Sequence, residues 1–135
     1  MAIKIKIKII NMSIGGFGGC SKIAQESFLR LLNKKMTIIV AAGNSNIDAI
    51  QTYPAGCPQV LAIAATGPSG EKSWYSNWGT SIALAAPGGN SLNPIYSQPH
   101  NQIYSTIAHA YKFLQGTSMA APMVSGLVAL MYALN

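Results

Sequence analysis

A short apolar run at residues 37–42, TIIVAA, constrains the fold of this chain more than any other segment. It is rich in β-branched residues and lacks polar alternation, which is typical of a strand buried on both faces of a sheet. A stretch with helical periodicity precedes it, beginning after a candidate N-cap at Ser21 and closing at residues 33–35. Residues 3–12, IKIKIKIINM, alternate with period two and then become apolar, which predicts an earlier strand. Strand, helix and strand at this spacing favour a right-handed parallel crossover.

The rest of the chain extends the same pattern. We predict further strands at residues 60–66, 82–86, 102–106 and 111–114, and a helix at 118–134. Loops are expected at 43–58, 67–81 and 90–101, and residues 13–19, SIGGFGG, contain too much glycine for either regular element. With 135 residues, the chain is long enough for one compact domain. The sequence therefore predicts an α/β fold with three layers, in which helices flank a mainly parallel sheet.

The charge content narrows the possible functions. Half of the residues are hydrophobic and only 9% are charged, so disorder is excluded and part of the apolar surface is expected to need a further partner. The net charge of +6 arises from nine basic and three acidic residues, without a long basic run, so we expect no nucleic-acid partner. The scarcity of acids also argues against a paired-carboxylate glycosidase and against a carboxylate-rich metal site.

The segment at residues 118–134 is almost uncharged and approaches the length of a membrane span. Pro122, Ser125 and Gly126 lower its hydrophobicity, and it lacks flanking basic anchors. We therefore predict a buried helix that packs on the sheet, and no membrane partner. Residues 3–9 alternate between Ile and Lys, so no signal peptide is expected in this sequence.

The start of this last helix carries a possible nucleophile. Ser118 follows Gly116 and Thr117, where the amide groups of a helix N-terminus favour negative charge on a nearby oxygen. Spacing alone favours the alternative that Ser118 or Thr117 is only an N-cap. A dinucleotide-binding loop at residues 15–19, GGFGG, is a weaker alternative because the glycines do not have the GxGxxG spacing.

The segment 116–122, GTSMAAP, resembles the nucleophile motif of the subtilisin-like serine peptidases, and further blocks occur in the order of that family. Residues 11–16, NMSIGG, are similar to its substrate-binding strand, and residues 41–44, AAGN, to its oxyanion-hole segment. The family pattern is also followed at 53–55, 75–79 and 85–88. The resemblance covers nearly the whole chain and implies the carboxy-terminal half of a subtilisin-like catalytic domain, spanning residues 1–135.

The resemblance implies a role for each matching residue. Ser118 would be the acyl-forming nucleophile, and the Asn44 side chain and the Ser118 N–H would bind the oxyanion. An extended peptide or protein substrate would lie between two segments. One comprises Ser13, Ile14 and Gly15, and the other comprises Ala41, Ala42 and Gly43.

The chain departs from the family pattern in its proton carriers. The family order is Asp, His, Ser, and the Asp and His blocks do not occur in this sequence. His100 and His109 are outside any family-like block and are expected to be loop histidines, and Asp48 a loop-stabilising residue. Met123 stands where many relatives have His. A partner that carries the missing amino-terminal half would have to supply the base.

The resemblance also gives meaning to Cys20 and Cys57, because a subset of secreted bacterial members is similar around both cysteines. It implies a disulfide between them and a secreted or periplasmic parent. No cofactor is expected, and although the family allows calcium, the sequence offers no identifiable metal site. The implied function is peptide-bond hydrolysis in the parent enzyme, with this chain inactive alone. The alternative is a non-catalytic peptide-binding or structural fragment.

Overall fold

The computed structural model describes residues 7–92, 101–107 and 110–134, and within them the chain forms an α/β sandwich. The helices are α1 at Lys22–Asn33 and α2 at Thr117–Leu134, with a short 3-10 helix at Ala49–Gln51. The strands are β1 (Ile9–Met12), β2 (Gly16–Phe17), β3 (Thr37–Ala41), β4 (Thr52–Tyr53), β5 (Leu61–Thr66), β6 (Ile82–Pro87), β7 (Ile103–Ile107) and β8 (Ala110–Leu114).

The central sheet has the strand order β1-β3-β5-β6, and all of its neighbours are parallel. Alternate side chains of β3 face opposite layers. Ile39 and Ala41 belong to a core cluster with α2, whereas Ile38 and Val40 belong to a second cluster that includes Phe28 of α1. The three-layer α/β class and the predicted parallel pairing of β1 and β3 across α1 are therefore confirmed, and β3 is buried on both faces.

Helix α1 begins as its sequence indicates. The Ser21 hydroxyl accepts the Ala24 N–H at 3.2 Å, so Ser21 is the N-cap. The helix packs against the sheet through the buried side chain of Phe28. Cys20, just before the helix, forms a disulfide with Cys57, with a Cα–Cα distance of 5.1 Å. The implied bridge is confirmed, and it ties the start of α1 to the segment that leads into β5.

The structure corrects three element predictions. The first strand is shorter than expected, because residues 7 and 8 are not in it and residues 1–6 lie outside the described part. The glycine-rich segment does form a strand, β2, which pairs antiparallel with β4 inside the predicted 43–58 loop. That pairing joins residues far apart in sequence, so no local sequence pattern predicts it.

The prediction that α2 is buried is wrong for most of the helix. Its buried residues, Thr117, Ala120, Ala121 and Val124, recur at helical spacing and face the sheet. A second face at similar spacing is exposed and apolar, comprising Met123, Leu127, Leu130, Met131 and Leu134. By length and composition α2 could span a membrane, but its small residues lie in the core with Ile39 and Ile63.

Candidate active site

One cleft of about 430 Å³ brings the sequence-predicted site residues together. It opens where β1 and β3 end, because the carboxyl ends of parallel strands meet at one edge of a sheet. Its lining also includes Phe17, Thr52, Tyr53, Asn77 and Thr117, and none of its lining residues is charged. The predicted residues in its wall are Ser13, Ile14, Gly15, Ala41, Ala42, Gly43, Asn44 and Ser118.

Asn44 is fixed by the first residue of α2. Its Oδ1 accepts the backbone N–H of Thr117 at 2.9 Å and the Thr117 hydroxyl at 2.8 Å. The same hydroxyl accepts the Gly43 N–H at 3.1 Å. Because Oδ1 is engaged, the amide nitrogen of Asn44 is on the other side of the group, and it has no acceptor among the described residues. The side chain therefore presents a free hydrogen-bond donor.

The loop that carries Asn44 is held by a buried asparagine. Asn77 is fully buried, and its side-chain nitrogen donates to the Ala42 carbonyl at 2.8 Å. Its Oδ1 accepts the N–H groups of Ser45 and Ile47 at 3.0 and 3.2 Å. Gly43 has φ +106°, and a Cβ there would overlap the Asn77 side chain. Glycine is thus required both by the backbone conformation and by the space.

The segment that leads into α2 is held by a buried tyrosine. The Tyr75 hydroxyl lies 2.8 Å from the Gly88 carbonyl oxygen and 2.7 Å from that of Gly89. The Gly88 carbonyl also accepts the Gly116 N–H at 2.8 Å. Burial raises the pKa of the Tyr75 phenol, since it disfavours the charged form. Tyr75 is thus a neutral support beneath the turn that precedes Thr117.

Ser118 is the second residue of α2. Its N–H has no acceptor among the described residues, as expected for the first turn of a helix. Its hydroxyl lies 3.4 Å from the Ser13 carbonyl oxygen, a long contact, and no basic side chain contacts it in the described part. His100 and His109 lie outside the described residues. Neither the Ser118 nor the Thr117 hydroxyl accepts an amide of α2 there, so the N-cap interpretation fails for both.

The three acidic residues lie apart from one another in the sequence and have separate surroundings. Asp48 accepts the Ile50 N–H and caps the 3-10 helix, as expected for a loop-stabilising residue. Glu71 accepts the Asn90 side-chain amide at 2.7 Å, and this bond is the main reason that the pKa of Glu71 is lowered. Glu26 is the remaining acid, on α1. No cluster of three His, Cys, Asp or Glu side chains occurs within residues 7–92, 101–107 and 110–134.

Sequence reasoning missed three residues that shape the cleft. Thr117 was considered only as a cap, although it links Gly43 to Asn44. Asn77 and Thr52 were not assigned roles, although both are buried and bond to the Ala42 carbonyl. The available signal was the position of Asn77 between the aromatic residues Tyr75 and Trp78, because an amide buried among aromatic residues needs several hydrogen-bond partners.

The family model of the subtilase family, Peptidase_S8, matches residues 1–135. The chain therefore belongs to the subtilase family of peptidases. It is 43% identical over 123 residues to an extracellular basic protease of Dichelobacter nodosus, and 41% identical over 124 residues to an extracellular protease of Xanthomonas campestris pv. campestris. These matches cover 91% of this chain but 20% of each relative, so the chain spans about a fifth of the length of either protein.

Solved structures show the same fold. A protease from Pseudoalteromonas arctica PAMC 21717 superposes with a TM-score of 0.81 at 32% identity, over 96% of this chain and 41% of its own. A cold adapted subtilisin-like serine proteinase superposes with a TM-score of 0.79 at 36% identity, over 94% of this chain and 42% of its own. The chain thus has a partial subtilisin-like fold.

Proposed function

We propose that residues 1–135 form the carboxy-terminal part of the catalytic domain of a subtilisin-like serine endopeptidase. In this proposal Ser118 is the nucleophile, and the oxyanion binds to the Asn44 amide and the Ser118 N–H. The observation that carries it is the cleft, which both residues line, each with a hydrogen-bond donor that has no acceptor among the described residues. Two such donors in a concave site are the requirement for stabilising a tetrahedral intermediate.

The proposed substrate is an extended segment of peptide or protein. Ser13 to Gly15 line the cleft on one segment and Ala41 to Gly43 line it on another. Residues 13–15 are not assigned to a strand, so their backbone groups can pair with an incoming chain by strand addition. Because no charged side chain lines the cleft, the proposal assigns it uncharged substrate side chains.

The base is proposed to come from the remainder of a subtilase catalytic domain. Among the described residues β1 is an edge strand that pairs with β3 alone, and so it offers an unpaired edge there. The apolar face of α2 is uncovered as well, with Leu130 and Leu134 exposed by 65% and 87%. The solved relatives contain more than twice the chain length covered here. A domain segment that pairs with β1 and covers α2 would bury both surfaces and bring the Asp and His blocks.

We also propose an exported parent protein. The two relatives named above are extracellular proteases. The Cys20–Cys57 disulfide supports the same compartment, because such bonds persist mainly in oxidising environments. Calcium is not part of the proposal.

A non-catalytic peptide-binding fragment is the second candidate function. It is favoured by one observation, that the Ser118 hydroxyl faces the Ser13 carbonyl and contacts no base within the described residues. In that case the cleft would hold a peptide without cleaving it, since acyl transfer at neutral pH requires a proton acceptor.

A fluorophosphonate probe distinguishes the two. The chain alone and its Ser118→Ala variant are expected to remain unlabelled. A mixture with the amino-terminal part of the Dichelobacter nodosus protease domain is expected to become labelled at Ser118 and to hydrolyse peptides. Mixtures that assemble by size-exclusion chromatography yet show no labelling above Ser118→Ala would reject the peptidase proposal and favour the binding fragment.

A further inference from the structure

The carbonyl of Ser118 has an unusual position in α2. In an α-helix each carbonyl accepts the N–H of the fourth residue ahead. For Ser118 that residue is Pro122, which has no N–H. The Ser13 hydroxyl donates to this carbonyl instead, at 3.0 Å. A side chain at the end of β1 therefore supplies the bond that the helix cannot.

The Ser13 hydroxyl is itself oriented by a side chain of β1. The amide nitrogen of Asn11 donates to Ser13 Oγ at 3.1 Å. This bond occupies an acceptor site of the hydroxyl and leaves its single proton for the Ser118 carbonyl. Asn11 Oδ1 in turn accepts the hydroxyl of Ser125 at 2.9 Å. The donors thus run in one direction, from Ser125 through Asn11 and Ser13 to Ser118. We refer to this series of hydrogen bonds as the relay.

The direction of this relay depends on one proton. Ser125 Oγ also lies 3.1 Å from the Ala121 carbonyl, the ordinary i−4 partner of a helical serine. If its proton turns to Ala121, Ser125 can only accept from Asn11. Asn11 must then rotate its amide, and its oxygen accepts the Ser13 proton. In that state the Ser118 carbonyl loses its donor.

We propose that Ser125 is a positioning residue for Ser118, acting through Asn11 and Ser13. The bond to the Ser118 carbonyl fixes the peptide plane on the carboxyl side of the nucleophile, while Thr117 is fixed to Asn44 on the other side. The functional part of this inference rests on the proposed peptidase activity, because only there does the orientation of the Ser118 hydroxyl affect a rate. The relay itself requires no activity.

The relay is tested by NMR on the 135-residue chain. Ser125→Ala is expected to shift both the Asn11 side-chain amide and the Ser118 carbonyl carbon, whereas Ser125→Thr retains the hydroxyl and both signals. Ser27→Ala is the matched control, because Ser27 on α1 makes the same i−4 bond, to Ile23 at 2.8 Å, without a partner across the sheet. An unshifted Ser118 carbonyl in Ser125→Ala would overturn the relay.

Asn11→Asp is a second variant, chosen because Asn11 is exposed and its replacement leaves the core intact. An aspartate can still accept from Ser125 but cannot donate to Ser13, so the Ser13 proton is drawn away from Ser118. The Ser118 carbonyl carbon is expected to shift as in Ser125→Ala. If it keeps its wild-type value, the relay does not control Ser118, even where Ser125→Ala fails to fold.

The effect on the reaction is tested in the complemented mixture. Ser125→Ala is expected to lower kcat by about three- to tenfold with KM unchanged, the range of one neutral hydrogen bond. Ser125→Thr should restore the rate, and Ser27→Ala should not change it. A rise in KM alone, or no restoration by Thr, would reject the positioning role. A mixture that assembles but is inactive throughout rejects the proposed function, whereas the NMR result still decides the relay.

Discussion

The Oδ1 atom of Asn44 accepts two hydrogen bonds from Thr117, one from the backbone N–H and one from the hydroxyl. This double contact prevents the amide from exchanging its oxygen and nitrogen, because a rotated amide would place its N–H₂ against the Thr117 N–H. Thr117 thereby determines which atom of Asn44 is presented to the cleft. The oxyanion donor of the proposed site is preorganised by its neighbour in space, 73 residues away in sequence.

Thr117→Val tests this arrangement. Valine preserves the shape but leaves the Gly43 N–H without its acceptor, and a buried unsatisfied group costs about 1–3 kcal/mol. We expect urea unfolding to show a loss in that range, while Thr117→Ser, which retains the hydroxyl, should lose less. A loss in Thr117→Ser without a loss in Thr117→Val would show that packing of the Thr117 methyl, and not the hydrogen bonds, stabilises this turn.

Asn44→Asp separates the two functions of that side chain. Aspartate keeps an oxygen for Thr117 but lacks the N–H₂ donor, so the melting temperature should change little. In the complemented mixture, hydrolysis is expected to fall by about a hundred- to a thousandfold, the reported value of one oxyanion-hole donor in a subtilisin. Retention of wild-type kcat would remove Asn44 from the oxyanion site.

Gly43→Ala is expected to destabilise the chain by at least about 1–2 kcal/mol, the cost of a left-handed backbone for an L-residue. The overlap of the new methyl with Asn77 adds to this loss. Gly126→Ala is the matched control, because it lies within α2 with open space around it and should gain about 0.5–1 kcal/mol. The denaturant concentration at the midpoint of unfolding should therefore fall in Gly43→Ala and rise in Gly126→Ala.

Tyr75 makes stability sensitive to alkaline pH. Burial raises the pKa of its phenol in the folded state, so above the ordinary value of about 10 the unfolded chain releases the proton first. The stabilisation is complete below that pH and is lost as the pH rises through the folded-state pKa. Tyr75→Phe should be less stable at neutral pH and lose less stability between pH 9 and about 11. Parallel pH profiles for the two proteins would contradict this assignment.

Much of the fold was predictable because its strongest signals are local. The apolar run of β3 and the cap at Ser21 depend on nearby residues, and the structure has both where expected. The β2–β4 pair was not predictable, since Gly16 and Phe17 pair with residues beyond β3. The exposure of α2 could not be predicted for a different reason. An apolar sequence indicates that the helix packs against other protein, but not whether that protein belongs to the same chain.

The candidate site shows the same division. The eight residues assigned to catalysis or substrate binding could be named from family-like blocks, and all eight line the cleft. The roles of Asn77 and Thr117, which stand in two of those blocks, could not be predicted, because both act through tertiary hydrogen bonds to residues far away in the sequence. Buried polar groups are satisfied by whatever the fold brings near them.

Both walls of the cleft, at Ser13–Gly15 and Ala41–Gly43, lie at the carboxyl ends of adjacent strands of one sheet. In the proposed peptidase, the surface that would bind the substrate is therefore formed without the residues that would transfer protons. The exposed residues Ile14 and Phe17 could be varied in a phage-displayed library of this chain. Variants that bind a chosen peptide could then be selected without hydrolysis of that peptide. In the proposed protease, formed by adding the complementary segment, the selected variants would be expected to prefer substrates that contain the selected peptide.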